Sequence, residues 1–230
     1  MDLPINDKEL STIVSSLTLG GDTALYEKLK LVRDVRDANP DGPYKKILRD
    51  TYGMVIKYMS HLNVFDDKVP FIVRDNLWNY CINSTYRLGW EDTDVPEKYD
   101  LNIHSHWSTE EIESTDILPH IKKCIDETDW FTNTKLTKVV CNLVRPDDVH
   151  YLHIHQKQQV CLYYINLDWR DGWHGETIFY NPNNIKEISH TSLYVPGRII
   201  LFDGSIPHAI RPQSVRAPKF RFTLSLFFQR

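Results

Sequence analysis

The sequence predicts an α+β fold: a jelly-roll core of antiparallel strands closed into a double sheet, with a helical N-terminal half packed on it. Three observations predict it. Helical periodicity fills roughly the first 130 residues, short β-rich runs follow from about residue 136, and turn residues separate those runs. Helices first and strands afterwards argue for a segregated layout instead of an alternating parallel α/β sheet. Many short antiparallel strands bury their edges by rolling up.

Taken in order, Asn6 and Glu9 form a capping-box pattern ahead of Ile13, Val14 and Leu17, and Asp22 can cap a segment whose Leu25, Leu29 and Val32 share a face. NPDGP at 39–43 is turn chemistry, and Pro43 suits the first turn of an amphipathic helix carrying Ile47, Leu48, Val55, Ile56 and Met59. Asp75 is placed to cap a further helix through Leu77, Trp78, Cys81 and Ile82. After an irregular stretch at 88–114, a last helix presents Ile117, Leu118, Ile121, Cys124 and Ile125. The strands are then TKVVCNLV, QVCLYYINL, ETIFY, SLYV, GRIILF and FRFTLSLFF. Gly172, Asn181-Pro182-Asn183-Asn184, Pro196-Gly197 and Asp203-Gly204 fall between them. We divide the chain into an N-terminal helical segment, residues 1–70, and the roll with its supporting helices, residues 71–230.

Composition excludes several function classes. The 230 residues are 41% hydrophobic, and 27 basic against 31 acidic residues leave a formal charge of −4 without any basic stripe. Nucleic-acid backbone binding is therefore not expected. No run approaches the ~18 apolar residues a membrane span needs, and MDLPINDKEL lacks the pattern of a secretion signal. Cys81, Cys124, Cys141 and Cys161 form no CxxC pair. We expect reduced thiols in a soluble, cytoplasmic protein.

Chemistry concentrates in HIHQKQQVCLYYINLDW, residues 153–169. Residues i and i+2 of a strand point to one face, about 6–7 Å apart, so His153 and His155 can aim both rings at one point. His208 follows GRIILF and the Asp203-Gly204 turn, and in a rolled sheet it can supply a third ligand from far away in sequence. Three ligands on one face of a metal leave its other positions open. The other H-x-H, His104-Ser105-His106, lies in a polar stretch and reads as a pair of surface histidines. Asp148 and the His174-x-Glu176 pair are further conceivable ligands.

From about residue 137 to 228 these elements resemble the Fe(II)/2-oxoglutarate-dependent dioxygenases, in particular the prolyl-4-hydroxylase-like branch. The resemblance is carried, in order, by HIH at 153–155, CLYYINLDW at 161–169, HGETIFY at 174–180, VPGRIILFDGSIPH at 195–208 and RFTLSLFF at 221–228. It implies a double-stranded β-helix, an iron site at His153, His155 and His208, and binding of 2-oxoglutarate by Arg221, Thr223 and Tyr164. Arg221 would hold the distal carboxylate, with the Tyr164 hydroxyl beside it; Tyr163 must face the other side of its strand. The resemblance further implies Fe(II), 2-oxoglutarate and O2 as cofactor and co-substrates, and hydroxylation of a protein side chain, proline among the candidates, or of a small molecule.

The chain departs from the family at the second ligand, where most members carry a carboxylate and this sequence has His155. Three neutral imidazoles leave the ion its full 2+ charge. His174 stands where relatives have a glycine, Trp169 and Trp173 read as packing anchors, and Arg198, Arg211 and Arg216 as surface cations. Asn142 is a candidate for the cavity wall. The competing function is a cupin-like metal-binding protein without oxygenase activity, which would bind metal at the same histidines without needing a co-substrate.

Overall fold

The computed structural model describes residues 61–89, 102–131, 134–146, 148 and 150–229. The helices expected around Asn6, Asp22 and Pro43 lie outside these residues. Within them the chain runs β1 (Leu62–Phe65), α1 (Phe71–Asn83), β2 (Arg87–Leu88), β3 (Ile103–Trp107), α2 (Thr109–Glu113), α3 (Leu118–Asp126) and β4 (Lys135–Val144). It continues through β5 (Gln159–Tyr164), β6 (Thr177–Asn181), β7 (Asn184–Ser192), β8 (Ile199–Asp203), β9 (His208–Ile210) and β10 (Arg221–Gln229).

All strand pairs are antiparallel. A seven-stranded sheet has the order β1-β8-β5-β10-β4-β3-β2, and a three-stranded sheet has the order β7-β6-β9. The described residues thus form mainly antiparallel β structure with few helices. Two apolar clusters divide the interior into layers. One joins α1 and α3 to the large sheet through Leu77, Cys81, Ile121, Cys124, Cys141, Leu224 and Leu226. The other lies between the two sheets and contains Val140, Val160, Tyr164, Phe179, Tyr194, Phe202 and Phe227.

Strand β10 separates these layers by the period of its side chains. Phe222, Leu224, Leu226 and Phe228 belong to the helix-side cluster, whereas Phe227 belongs to the cluster between the sheets. Trp78 of α1 meets the ring of Phe222 edge-on at 5.5 Å, so the aromatic N-terminal helix buttresses this strand. All four cysteines are buried free thiols.

Several elements differ from the sequence-based expectation. Helix α1 starts at Phe71 with Pro70 at its N-cap, because proline's fixed φ already suits the helix entry. Asp75 lies inside the helix, where its carboxylate accepts a bond from Asn79 at 3.3 Å. The stretch 88–114, read as irregular, contains β3 and the capping-box helix α2. His104 and His106 therefore lie on a strand paired with β4, and His104 is buried instead of at the surface. Of the run SLYV only Ser192 lies in a strand, as the last residue of β7. Residues 184–192 pair with β6, and their mostly exposed side chains explain why no apolar alternation marked them. Strand β1 pairs with β8, so the large sheet already includes residues from the segment assigned to helix on the sequence.

Candidate metal centre and anion pocket

The histidines of HIH meet His208 through the backbone. His153 and His208 exchange two main-chain hydrogen bonds of 3.1 and 3.0 Å, and His155 N–H donates to the Gly204 carbonyl at 2.7 Å. The bridge to His153 extends the small sheet beyond β9. Gly204 permits this crossing by its lack of a side chain. A Cβ there would collide with the His155 carbonyl and would come within 2.7 Å of the Gln158 carbonyl and 2.9 Å of the His155 Cβ. The turn expected at Asp203-Gly204 is thus also a point of close backbone approach.

The three rings converge. Their centroids lie 4.9 Å apart for His153 and His155, 4.3 Å for His153 and His208, and 5.1 Å for His155 and His208. One ligand atom from each falls within 4.8 Å of the others, and this is the group of potential metal ligands found among the described residues.

Ring orientation fits a metal. Nδ1 of His153 lies 2.9 Å from the Tyr151 carbonyl, and Nδ1 of His208 lies 2.9 Å from the Ile206 carbonyl. A carbonyl only accepts, so each Nδ1 carries the proton and each Nε2 keeps a lone pair. Burial lowers the pKa of all three rings, that of His208 to well below the ordinary value, and brings His155 to about 3, helped by nearby His153 and Lys138. The imidazoles are neutral at pH 7, the form that ligates metal. Phe227 packs edge-on against His155 at 4.9 Å, and Phe202 against His208 at 4.8 Å.

These rings line a cavity of about 460 Å³, together with Asn142, His150, Thr177, Thr223 and Ser225. Among the described residues no Asp or Glu lines it and Lys138 does, so its electrostatics favour an anion. Three hydroxyls on the wall share one arrangement. Arg221 Nη1 donates to Thr223 Oγ1 at 2.7 Å, Tyr164 donates to Thr177 Oγ1 at 2.7 Å, and Asn142 donates to Ser225 Oγ at 3.1 Å. With each oxygen already accepting from behind, each O–H is left to donate to another acceptor.

Arg221 is wholly buried behind Thr223. Its Nε donates to the Gly175 carbonyl at 3.0 Å, and its Nη2 has no hydrogen-bond partner. Burial lowers its pKa, yet the group stays a cation. A buried guanidinium with one unused donor fits an incoming carboxylate.

Sequence reasoning picked out His153, His155, His208, Arg221, Thr223, Tyr164 and Asn142; the histidines, Thr223 and Asn142 line one cavity, and Arg221 is buried behind Thr223. Tyr164 stands one residue further back than expected, with Thr177 between it and the open space. His150, Thr177, Ser225 and Tyr194 were missed. Thr177 and Ser225 sat inside recognised strands, and their alternation with buried apolar neighbours was the available signal. His174 does adopt a glycine-like backbone, with φ of 61°, and its Nδ1 lies 3.6 Å from Glu176 away from the three-histidine cluster. Asp148 is taken up by Arg145 at 3.1 Å. Arg198 pairs with Asp66 at 2.8 Å, and the rings of Trp169 and Trp173 pack edge-on.

No family model matches the sequence, and no curated protein matches it. Solved structures do. A prolyl hydroxylase from Trichoplax adhaerens, in complex with a hypoxia inducible factor peptide fragment, superposes with a TM-score of 0.56 at 14% identity, over 76% of this chain and 86% of that one. The chain has the fold of the prolyl hydroxylases. A prolyl-4-hydroxylase from Pseudomonas putida matches with a TM-score of 0.54 at 14% identity, over 78% of this chain and 98% of its own. HygX from Streptomyces hygroscopicus, with nickel and 2-oxoglutarate bound, matches at 0.56 and 8% identity, over 77% and 86%. This prolyl-hydroxylase-like fold is common to structures sharing little sequence, so function here must be argued from the site.

Proposed function

We propose that this protein is a non-haem Fe(II)- and 2-oxoglutarate-dependent dioxygenase that hydroxylates a C–H bond. One observation carries the reading: three imidazoles from separate stretches converge at a cavity backed by a buried arginine whose Nη2 lacks a partner. His153, His155 and His208 would hold the iron, and Arg221, Thr223 and the Tyr164–Thr177 pair would receive the distal carboxylate of 2-oxoglutarate. When bound, the iron would activate O2, coupling conversion of 2-oxoglutarate to succinate and CO2 with insertion of the second oxygen atom into a substrate C–H bond.

The chain's own contribution is binding and orientation. The Tyr151 and Ile206 carbonyls fix the ring tautomers of His153 and His208. Phe202 and Phe227 shield the histidine cluster from water on the side of the sheet. With no anionic ligand on the metal, a dianionic co-substrate would neutralise the centre, which strengthens its hold on 2-oxoglutarate.

A protein side chain is the substrate we favour, since one structural neighbour was solved with a peptide fragment. We place the activity in the double-stranded β-helix of residues 71–230, to which β1 (Leu62–Phe65) adds an edge strand, in the cytoplasm. No helix among the described residues is long and apolar enough to cross a membrane.

The test is anaerobic titration of the Fe(II)-loaded protein with 2-oxoglutarate. A weak visible charge-transfer band, followed by succinate release on admitting O2, is the expected result. Arg221→Ala should lose the band and His155→Asp should keep it. Metal binding without band or succinate would instead identify a metal-binding protein of the same fold.

A further inference from the structure

The guanidinium of Arg221 is held in an unusual environment. It is wholly buried and forms no salt bridge with a described carboxylate, Glu176 acting on it only through space. Its hydrogen-bond partners are the Gly175 carbonyl and the Thr223 hydroxyl, both neutral. An unpaired buried charge is costly unless something else compensates it. Aromatic faces do so here. The Arg221 Cζ lies 4.5 Å from the ring centre of Tyr194 and 5.3 Å from that of Tyr164, and the two rings stack at 4.4 Å and 19°.

Tyr194 is itself fixed from several sides. Its hydroxyl lies 2.5 Å from the Phe222 carbonyl and 2.8 Å from Asn166 Oδ1, and it accepts from the Asn166 N–H at 3.1 Å. Trp169 packs against its ring at 4.4 Å and is anchored in turn by its indole N–H to the His174 carbonyl at 2.9 Å. Gly175 closes the cage: a Cβ there would come within 3.2 Å of Arg221 Cδ and Nε and of Trp169 Cζ2.

A carboxylate in Tyr194's place would neutralise the arginine and occupy its free donor. An aromatic face attracts the cation through its quadrupole and takes up no N–H. We infer that Tyr194 is a positioning residue: its ring replaces a counter-ion for Arg221, keeping the guanidinium fixed, charged and with Nη2 available to an anionic oxygen. This rests on the proposed role of Arg221 toward a diacid.

The test compares two keto acids on the zinc-loaded full chain. 2-Oxoglutarate has the distal carboxylate, and 2-oxobutyrate shares the keto-acid end but lacks it. Wild type should prefer 2-oxoglutarate. Tyr194→Leu should raise its dissociation constant about tenfold or more while leaving 2-oxobutyrate and zinc affinity unchanged; Tyr194→Phe, which keeps the ring face, should retain the preference. Combined with Arg221→Ala, Tyr194→Leu should add no further loss. An undiminished preference in Tyr194→Leu, or equal weakening of both acids, would overturn the role of Tyr194. Equal affinity of wild type for the two acids would instead overturn the reading of Arg221 itself. If Tyr194→Leu does not fold, Tyr194→Met, unbranched and better able to fill the space, takes its place with the same outcomes.

Discussion

The two faces of β10 differ in kind. Toward the helices it presents Phe222, Leu224, Leu226 and Phe228, packed with Leu77, Ile121 and Phe131 in an apolar layer. Toward the small sheet it presents Arg221, Thr223, Ser225 and Phe227, and the last three line the cavity with the histidines. The same nine residues thus carry an apolar packing surface and a cavity-lining surface, interleaved at a period of two. Strand β5 repeats the division, with Tyr163 in the helix-side cluster and Tyr164 in the cluster between the sheets. The difference teaches that β10 keeps its buried polar side chains on one face only, where partners and an open cavity meet them.

Truncation on the helix side should have the largest effect on stability. Leu224→Ala removes a fully buried side chain and should cost about 2–5 kcal/mol in denaturant unfolding, with zinc affinity of the remaining folded protein unchanged. Gly204→Ala should come next. The added methyl meets the His155 and Gln158 carbonyls, so it should cost about 1–3 kcal/mol and also weaken metal binding, measured by competition with a chelator. An effect on stability without one on metal affinity would separate the turn from the site.

Ser225→Ala sharpens the contrast from the other face. It leaves Asn142 in contact with the cavity and should change unfolding by about 1 kcal/mol or less while weakening 2-oxoglutarate about fivefold in calorimetric titration. A last effect concerns pH and is absent at pH 7. The folded-state pKa values of His150 and His155 are depressed by burial to about 4 and about 3, so the unfolded chain takes up their protons first. Stability of the metal-free protein is full above the ordinary histidine pKa and falls as pH drops from about 6.5 toward 4, by about 1.4 kcal/mol per pH unit for each such imidazole. Thermal melts at pH 7 and pH 5 measure it.

How much of this was legible follows from the same contrast. Strands buried on at least one face announced themselves: β4, β5, β8 and β10 were all visible as β-rich runs, and the HIH spacing with the distant His208 indicated the three-histidine cluster. Strand β7 was not visible because residues such as Lys186, Ser189 and His190 are exposed and leave no alternation. Strand β9 is only three residues long and exists through pairing with β6 and His153. Tyr194 was missed for a different reason. Its role depends on contacts with Asn166, Trp169 and Arg221 from elsewhere in the chain, and no local pattern reports them.

The central claim is that three imidazoles hold one divalent ion. X-ray absorption spectroscopy of the protein loaded with one equivalent of Fe(II) tests it most directly. The account predicts scattering from three imidazoles, reduced to two in His155→Ala. A spectrum with two or fewer imidazoles in the wild type, or one unchanged in that variant, would contradict it.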